Sequence, residues 1–327
     1  MAKHVVIWTG ARHDDRLCAA VGAVAGVRVT GARDRAAALA AIDDADALVA
    51  TVVGWGADFA AAIARAPRLV WMQALNTGID NVEKRGLPAR LAISNVGPVN
   101  STIVAEHALT LLLAMLRRTP KLAAAQARRD WAFDAVRPEL STLRGKHVAI
   151  LGFSHIGRGI AGLCAACGAR VTAIARTARV DPSGTVVEAV TALREVLATA
   201  DALVVAAPLT AETRGLVNAE ALAALKRGAL VVNVSRGGVV ATRDLLAALD
   251  SGQVGGAALD VTDPEPLPPD HPLWTKPNVI ITPHVAGIGG GELVRAELEA
   301  LVVDNVRQFA AGGELQHLVR RPSPAAR

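Results

Sequence analysis

Short apolar runs alternate with amphipathic stretches along almost the whole chain. HVVIW (4–8), VRVT (27–30), DALVATVV (46–53), RLVWMQA (68–74) and LAISNV (91–96) read as strands, with helices over 35–42 and 57–65 between them. Apolar runs of this length fit strands buried on both faces. Their alternation with helices fits βα units and a parallel sheet. A second series starts at HVAIL (147–151) and continues with ARVTAIA (169–175), DALVVAA (201–207), ALVVNVS (229–235), GGAALDV (255–261) and VIIT (279–282). Its helices are expected near 190–199, 218–226 and 242–250. Between the two series, the pattern predicts an apolar helix from Ser101 to Arg118. Ser101 or Thr102 is expected to cap it, with Glu106 a turn inside and Arg117 and Arg118 at its basic end. Pro120 and the polar stretch to Arg144 read as a connection that packs on a neighbouring domain or subunit. A last helix, near 291–311, is expected to return to the first domain. No internal repeat is evident beyond the shared strand–helix rhythm. The expected fold is therefore α/β, with two Rossmann- or flavodoxin-like doubly wound parallel-sheet domains and a cleft between them.

Composition narrows the function classes. The chain has 327 residues, 52% hydrophobic and 20% charged, which suits two packed domains rather than disorder. Net charge is +5, but the Arg residues are scattered apart from pairs such as Arg117–Arg118, Arg128–Arg129 and Arg320–Arg321. That is a solvated basic surface favouring small anions, with no nucleic-acid motif. No apolar run is long enough to span a bilayer, and MAKHVVIWTG leads straight into a strand, so neither a membrane span nor a secretory signal is expected. Three Cys fit a reducing cytoplasm, and Cys164 and Cys167 read as core residues of one helix rather than a redox pair. No His/Cys/Asp cluster has metal-ligand spacing, so no metal is expected.

Three polar residues each follow a strand of the second series: Arg236, Glu265 and His284. Ligands of open α/β sheets bind outside the carboxyl ends of the strands. A guanidinium, a carboxylate and an imidazole gathered there suit reduction of a carboxylate-bearing carbonyl. Arg offers a planar fork to the carboxylate and His a proton near neutral pH. Upstream, Gly152-Phe153-Ser154-His155-Ile156-Gly157 follows the first strand of this series and resembles the G-x-G-x-x-G dinucleotide turn, with Ser154 at the middle Gly. The next strand leads into Arg176, Thr177 and Arg179, with no acid to hold a ribose hydroxyl. A guanidinium there suits a 2′-phosphate, so NADP(H) is expected over NAD(H). The domains are then a dinucleotide-binding domain, 101–287, and a discontinuous substrate domain, 1–100 plus 288–327.

Six segments carry a resemblance: NTGIDNV (76–82), GPVNSTIVAEHALTLLLAMLRR (97–118), APLTAETRGLVN (207–218), NVSRGGVV (233–240), ALDVTDPEPLP (258–268) and TPHVAG (282–287). Residues 70–312 resemble the D-isomer-specific 2-hydroxyacid dehydrogenase family, which includes glyoxylate/hydroxypyruvate reductases; the first 65 residues match only in rhythm. The resemblance implies that Arg236 binds the substrate carboxylate and carbonyl, that His284 is the acid/base and that Glu265 pairs with it. It also implies that Asp260 holds the nicotinamide carboxamide. Asn76, Thr77 and Gly78 would complete the carboxylate site, with Thr77 and Gly78 acting through backbone amides. The cofactor would touch Gly152, Ser154, His155, Ile156, Gly157, Arg176, Thr177, Ala207, Pro208, Thr213, Val234, Asp260, His284 and Gly287. His4, His13, His107, His147, His155, His271 and His317 are expected to lack a comparable acid/base context, and Trp55 and Trp274 to pack in the core, with a lid that shapes the pocket as their alternative role.

The implied activity is NADPH-dependent reduction of a small 2-keto acid to the D-2-hydroxy acid by a cytoplasmic homodimer. Phosphoglycerate dehydrogenases carry an Arg just before the NTGIDNV segment, where this chain has Ala74 preceded by Gln73. Formate dehydrogenases have Gln in place of Glu265. A dehydrogenase of another small anion, such as phosphite, and a nucleotide-sensing corepressor-like binding protein remain open alternatives.

Overall fold

The computed structural model describes residues 2–10, 13–52 and 55–322. The chain divides into two compact units, residues 1–100 with 289–327 and residues 101–288.

The first unit opens with β1 (Lys3–Trp8), α1 (Asp15–Gly22), β2 (Val27–Gly31), α2 (Arg35–Ile42), β3 (Ala47–Ala50), α3 (Ala57–Arg65), β4 (Trp71–Ala74), α4 (Asp80–Glu83) and β5 (Ala92–Ser94). Asp14 and Asp34 cap α1 and α2 by accepting from the N–H three residues on. The strand expected over 46–53 stops at Ala50, because the Val52 N–H goes to the Asn76 side chain (2.8 Å) instead of a ladder; Val53 lies outside the described residues. The strand expected from Arg68 starts at Trp71, after a turn in which the Leu69 N–H donates to the Ala66 carbonyl.

The second unit follows with α5 (Ser101–Leu116), α6 (Thr119–Ala127), α7 (Phe133–Val136), β6 (His147–Leu151), α8 (His155–Ala166), β7 (Arg170–Ala175), β8 (Arg179–Val180), β9 (Val186–Ala189), α9 (Leu193–Ala198), β10 (Ala202–Val205), α10 (Ala219–Ala224), β11 (Ala229–Asn233), α11 (Thr242–Asp250), β12 (Val254–Leu259) and β13 (Val279–Ile281). Helix α5 begins at Ser101 itself, so neither Ser101 nor Thr102 stands at the cap expected of them. The connection after Pro120 is largely helical, with Pro120 in the first turn of α6, where its missing N–H costs nothing. The chain then returns to the first unit with α12 (Gly291–Ala311) and β14 (Leu318–Arg320).

Both sheets are mixed but dominated by parallel pairs. The first runs β14-β5-β4-β3-β1-β2, with β14 antiparallel to β5 at one edge. The second runs β13-β12-β11-β10-β6-β7-β9-β8, with the short hairpin β8–β9 at the other edge. The hairpin takes the sheet from the six strands legible in sequence to eight; its turn closes with the Asp181 N–H on the Thr185 carbonyl and Gly184 at φ +82°. Strands β6, β10 and β11 are buried along their whole length, which is why they read as unbroken apolar runs. Their pleat divides the core in two. Ala149 and Leu151 pack with α9, α10 and α11, whereas Val148 and Ile150 pack with α5 and α8. In the first unit Val6 and Trp8 face α2 and α3, and Val5 and Ile7 face α1 and α12. Trp55 stacks on Phe59 in that core (4.9 Å between centroids), but Trp274 is half exposed, so core packing does not describe it. Cys164 is buried, and burial pushes its thiol up to about 12.

The two units also share a repeat that the apolar rhythm conceals. The triplets Lys3-His4-Val5 and Lys146-His147-Val148 open the two first strands. Arg28-Val29-Thr30 recurs as Arg170-Val171-Thr172, and ADALV at 45–49 recurs at 200–204. The pairing registers match: His4 faces Arg28 as His147 faces Arg170, and Val5 faces Ala47 as Val148 faces Ala202. In each unit the His N–H donates to an Asp carboxylate at 2.7 Å, Asp46 or Asp201. Its Nε2 lies 2.9 Å from a Thr hydroxyl, Thr30 or Thr172. The Asp pairs in turn with Arg68 or Lys226.

Candidate active site

Strands β11, β12 and β13 are adjacent and parallel, and their registers set Asn233, Leu259 and Ile281 side by side at the carboxyl edge of the sheet. Arg236, Asp260 and His284 follow these strands within three residues. The turn after β11 is tied internally. Asn233 Nδ2 donates to the Arg236 carbonyl (3.0 Å), and Asn233 Oδ1 accepts from the Ser235 N–H and hydroxyl (3.1 and 3.0 Å). Arg236 Nη1 donates to the Ser235 carbonyl at 2.7 Å. Next to Arg236, a Cβ on Gly237 would stand 2.0 Å from the Thr262 carbonyl, so only glycine lets this turn press against the loop that leads to Glu265.

Glu265 Oε1 lies 2.6 Å from His284 Nδ1. A carboxylate only accepts, so Nδ1 carries the proton and Nε2 is the nitrogen left for chemistry. The hydrogen bond to Glu265 holds the imidazole above its usual pKa. Desolvation and the nearby Arg236 charge oppose the shift, while the charges of Glu265 and Asp260 add to it. His284 is half exposed and sits at φ +54°, a conformation its neighbours impose rather than one it prefers.

The imposing residue is Asp260, only 2% exposed. Its backbone carbonyl accepts from the His284 N–H at 2.8 Å. Its carboxylate accepts from the Thr282 hydroxyl (2.6 Å) and from the Val285 and Ala286 N–H groups (2.9 and 3.0 Å). Asp260 thus clamps both sides of His284. His107, on α5, was expected to lack such context, and the structure corrects this. Its Nε2 lies 3.1 Å from the Thr282 hydroxyl and 3.4 Å from Asp260 Oδ1. Thr282 and His107 are 175 positions apart, and a lone His on an apolar helix gives no sequence signal of the meeting.

The turn between β6 and α8 fits a dinucleotide. Gly152 has φ +98°, and a Cβ there would lie 2.5 Å from the Ala207 nitrogen; a Cβ on Gly157 would lie 2.1 Å from the Gly152 carbonyl. Ser154 is exposed at the N-cap of α8, its side chain making no cap hydrogen bond, so the middle position tolerates a hydroxyl facing outward. His155 is exposed and Ile156 half-buried in the first turn of that helix. Ala207 and Val234 are buried close to the ends of β10 and β11, and the Thr213 hydroxyl closes the 208–213 loop on the Pro208 carbonyl (2.6 Å). Gly287 follows the loop that Asp260 clamps, its Cα side facing Val104. Arg176 and Thr177 are exposed directly after β7, where Arg179 Nη1 donates to the Thr177 carbonyl and Glu212 feels the Arg176 charge. Asp181, the acid that follows, is buried and bonded to Arg158 and Ser183 (both 2.9 Å).

In the first unit, Asn76 Oδ1 accepts from the Thr51 hydroxyl and the Val52 N–H (3.1 and 2.8 Å), tying its loop to the end of β3. The Thr77 carbonyl accepts from Asn95 Nδ2 at 2.7 Å, and Gly78 lies between Thr77 and α4. Behind them the buried Gln73 donates to the Asn95 carbonyl (3.0 Å) and accepts from Asn305 Nδ2 (2.7 Å). This chain of amides was not legible in sequence. Among the described residues, no group of three or more His, Cys, Asp or Glu is arranged to hold a metal, and no helix is long and apolar enough to cross a membrane.

The D-isomer specific 2-hydroxyacid dehydrogenase, NAD binding domain model matches residues 109–286. D-3-phosphoglycerate dehydrogenase of Mycobacterium tuberculosis is 35% identical over 304 residues, 90% of this chain but 54% of that protein, so the chain spans about half of that relative's length. A D-isomer specific 2-hydroxyacid dehydrogenase from Xanthobacter autotrophicus Py2, solved with NADPH and MES, is 30% identical with a TM-score of 0.80, covering 98% of each chain. An NADPH-dependent glyoxylate/hydroxypyruvate reductase from Sinorhizobium meliloti, solved with NADP and sulfate, is 30% identical with a TM-score of 0.78, covering 97% of this chain and 98% of that one. With the paired His284 and Glu265 beside Arg236 at the carboxyl edge of a doubly wound sheet, the chain belongs to the D-isomer specific 2-hydroxyacid dehydrogenase family.

Proposed function

We propose that this protein reduces a small 2-keto acid, of the glyoxylate or hydroxypyruvate kind, to the D-2-hydroxy acid with NADPH. The observation that carries the reading is the 2.6 Å His284–Glu265 pair on the same sheet edge as Arg236. When bound, the nicotinamide supplies the hydride. Arg236 holds the substrate carboxylate and steadies charge developing on the carbonyl oxygen. His284 gives its Nε2 proton to that oxygen, and Glu265 keeps the imidazole charged and turned. The backbone amides of Thr77 and Gly78, with Asn76, are proposed as further contacts to the carboxylate. Asp260 has acceptor capacity left on Oδ2 for the nicotinamide carboxamide.

Residues 101–287 are proposed as the cofactor domain and 1–100 with 288–327 as the substrate domain. Arg176 and Thr177 are proposed to hold the 2′-phosphate, the pyrophosphate resting on Gly152, Ser154, His155, Ile156 and Gly157. Ala207, Pro208, Thr213, Val234 and Gly287 line the rest. The NADPH named for the two solved relatives supports this preference. Against a phosphorylated substrate stands Ala74, buried and uncharged where phosphoglycerate dehydrogenases carry an Arg. The exposed Leu122, Trp131 and Phe133 support a homodimer, the basic composition an anionic substrate, and the three Cys a reducing cytoplasm.

The test is oxidation of NADPH and NADH against glyoxylate, hydroxypyruvate, pyruvate and bulkier 2-keto acids. NADPH-linked turnover with a small keto acid is expected. A clear NADH preference removes the role given to Arg176, and no turnover with any keto acid removes the reductase reading.

A further inference from the structure

Thr282 has one hydroxyl proton and gives it to Asp260 Oδ1 at 2.6 Å. Its oxygen, 3.1 Å from His107 Nε2, must therefore accept, so His107 is protonated at Nε2. Asp260 Oδ1 lies 3.4 Å from the same nitrogen. Asp260 Oδ1 thus takes hydrogen bonds from Thr282 and the Val285 N–H with the His107 donor alongside, and Oδ2 takes the Ala286 N–H. The donors from 282, 285 and 286 bracket the residue at φ +54° whose Nε2 faces the reaction. A carboxylate this buried needs a polar counterpart to stay in place. The counterpart on α5 is His107, on a helix packed against α8.

We infer that His107 is a positioning residue: through Thr282 and Asp260 it fixes the 282–286 loop and so the direction of the His284 imidazole. It touches neither the reacting atoms nor Glu265. The inference rests on the reductase reading only for its kinetic consequence; the loop it fixes is there whatever the substrate.

The experiment compares His107→Leu with His107→Gln, whose side-chain amide nitrogen falls near the imidazole Nε2. The first readout is hydrogen exchange of the 282–288 segment in the protein without substrate. The Leu variant should exchange the Val285 and Ala286 amides faster, and the Gln variant should exchange like the parent. The second readout is keto-acid reduction: a misdirected imidazole should lower kcat about 10- to 100-fold while KM changes little, and Gln should restore kcat. If the Leu variant does not fold, Thr282→Val breaks the same chain at its middle link and is judged by the same two readouts. Unchanged exchange overturns the inference, as does faster exchange with an unchanged kcat in a protein that turns over. If no variant or parent reduces any keto acid, the reductase reading fails, and the exchange result alone still decides the placement of His107.

Discussion

The two units carry the same device at one edge of their sheets and different ones at the other. At the amino edge, His4 and His147 open their strands, bond an Asp through the backbone N–H at 2.7 Å and a Thr through Nε2 at 2.9 Å. At the carboxyl edge, the first unit sets out amides and hydroxyls, Asn76, Thr77, Asn95 and Thr51. The second sets out a guanidinium, a carboxylate and two imidazoles. The repeated edge ties strands together, and the edge that diverges carries titratable chemistry. Strand pairing and the proposed chemistry thus lie at opposite ends of the same strands.

The largest effect should come from the diverged edge. His284→Ala is expected to lower turnover by about 10²–10⁴-fold, the usual worth of a positioned proton donor, while NADPH quenching of Trp fluorescence is retained. Because Glu265 raises the His284 pKa, the imidazole stays protonated to higher pH, and reduction should fall as pH rises through that value. Glu265→Gln should move this fall to lower pH. A pH–rate profile that does not move would detach Glu265 from the proton transfer.

The shared edge should give effects on stability and none on the chemical step. Asp46→Ala and Asp201→Ala each leave a His N–H and a cation without their acceptor, at about 1–3 kcal/mol. The Asp46 side chain is 11% exposed against 26% for Asp201, and Arg68 grips both its oxygens (3.0 and 2.8 Å) where Lys226 reaches one. Asp46→Ala should therefore cost more, measured as the shift in denaturant midpoint. Equal shifts would mean that the two clasps are energetically the same despite their different cations.

Most strands and the helices 35–42, 57–65, 242–250 and 291–311 were legible because burial on both faces, or on one stripe, leaves a period in the sequence. Arg236, Glu265 and His284 were legible because each follows a strand. The hairpin β8–β9 was not, being an edge pair of two and four residues with an exposed Val180 and Val186. The repeat escaped for a different reason. KHV and ADALV lie 42 positions apart in one unit and 54 in the other, the hairpin falling between the longer pair, so no fixed period exists to find. Aligning the identical short segments would have found it. His107 left no such signal, because its partners are set by tertiary packing alone.

The pH dependence of unfolding reads the shared edge directly. Burial lowers the His147 pKa, so the native unit prefers the neutral ring. Below about pH 6.5 the unfolded chain takes up a proton that the native ring resists, and stability falls as pH drops. Burial alone would raise Asp46 and Asp201, but the His N–H bonds and the Arg68 or Lys226 charges outweigh it and hold both carboxyls low. Their contribution is full above about pH 4 and is lost below it. Equilibrium unfolding should therefore weaken in two steps on acidification. His147→Gln should remove the upper step and leave the lower one. An unchanged upper step would assign it to another group.

The smallest expected effect sharpens the comparison most directly. Lys226→Arg gives the second clasp the cation of the first. Lys226 reaches Asp201 Oδ1 at 3.1 Å as a single point charge, whereas Arg68 meets Asp46 with a planar fork. Both cations are about half exposed, so solvent screens most of the difference, and the gain should be a few tenths of a kcal/mol, within the range of surface pairs. The informative comparison is Lys226→Arg in the wild-type and Asp201→Ala backgrounds. A gain that persists without Asp201 would come from the longer side chain covering the strand ends. A gain that vanishes with Asp201 would place it in the fork, and would make the cation the feature that separates two otherwise matching clasps.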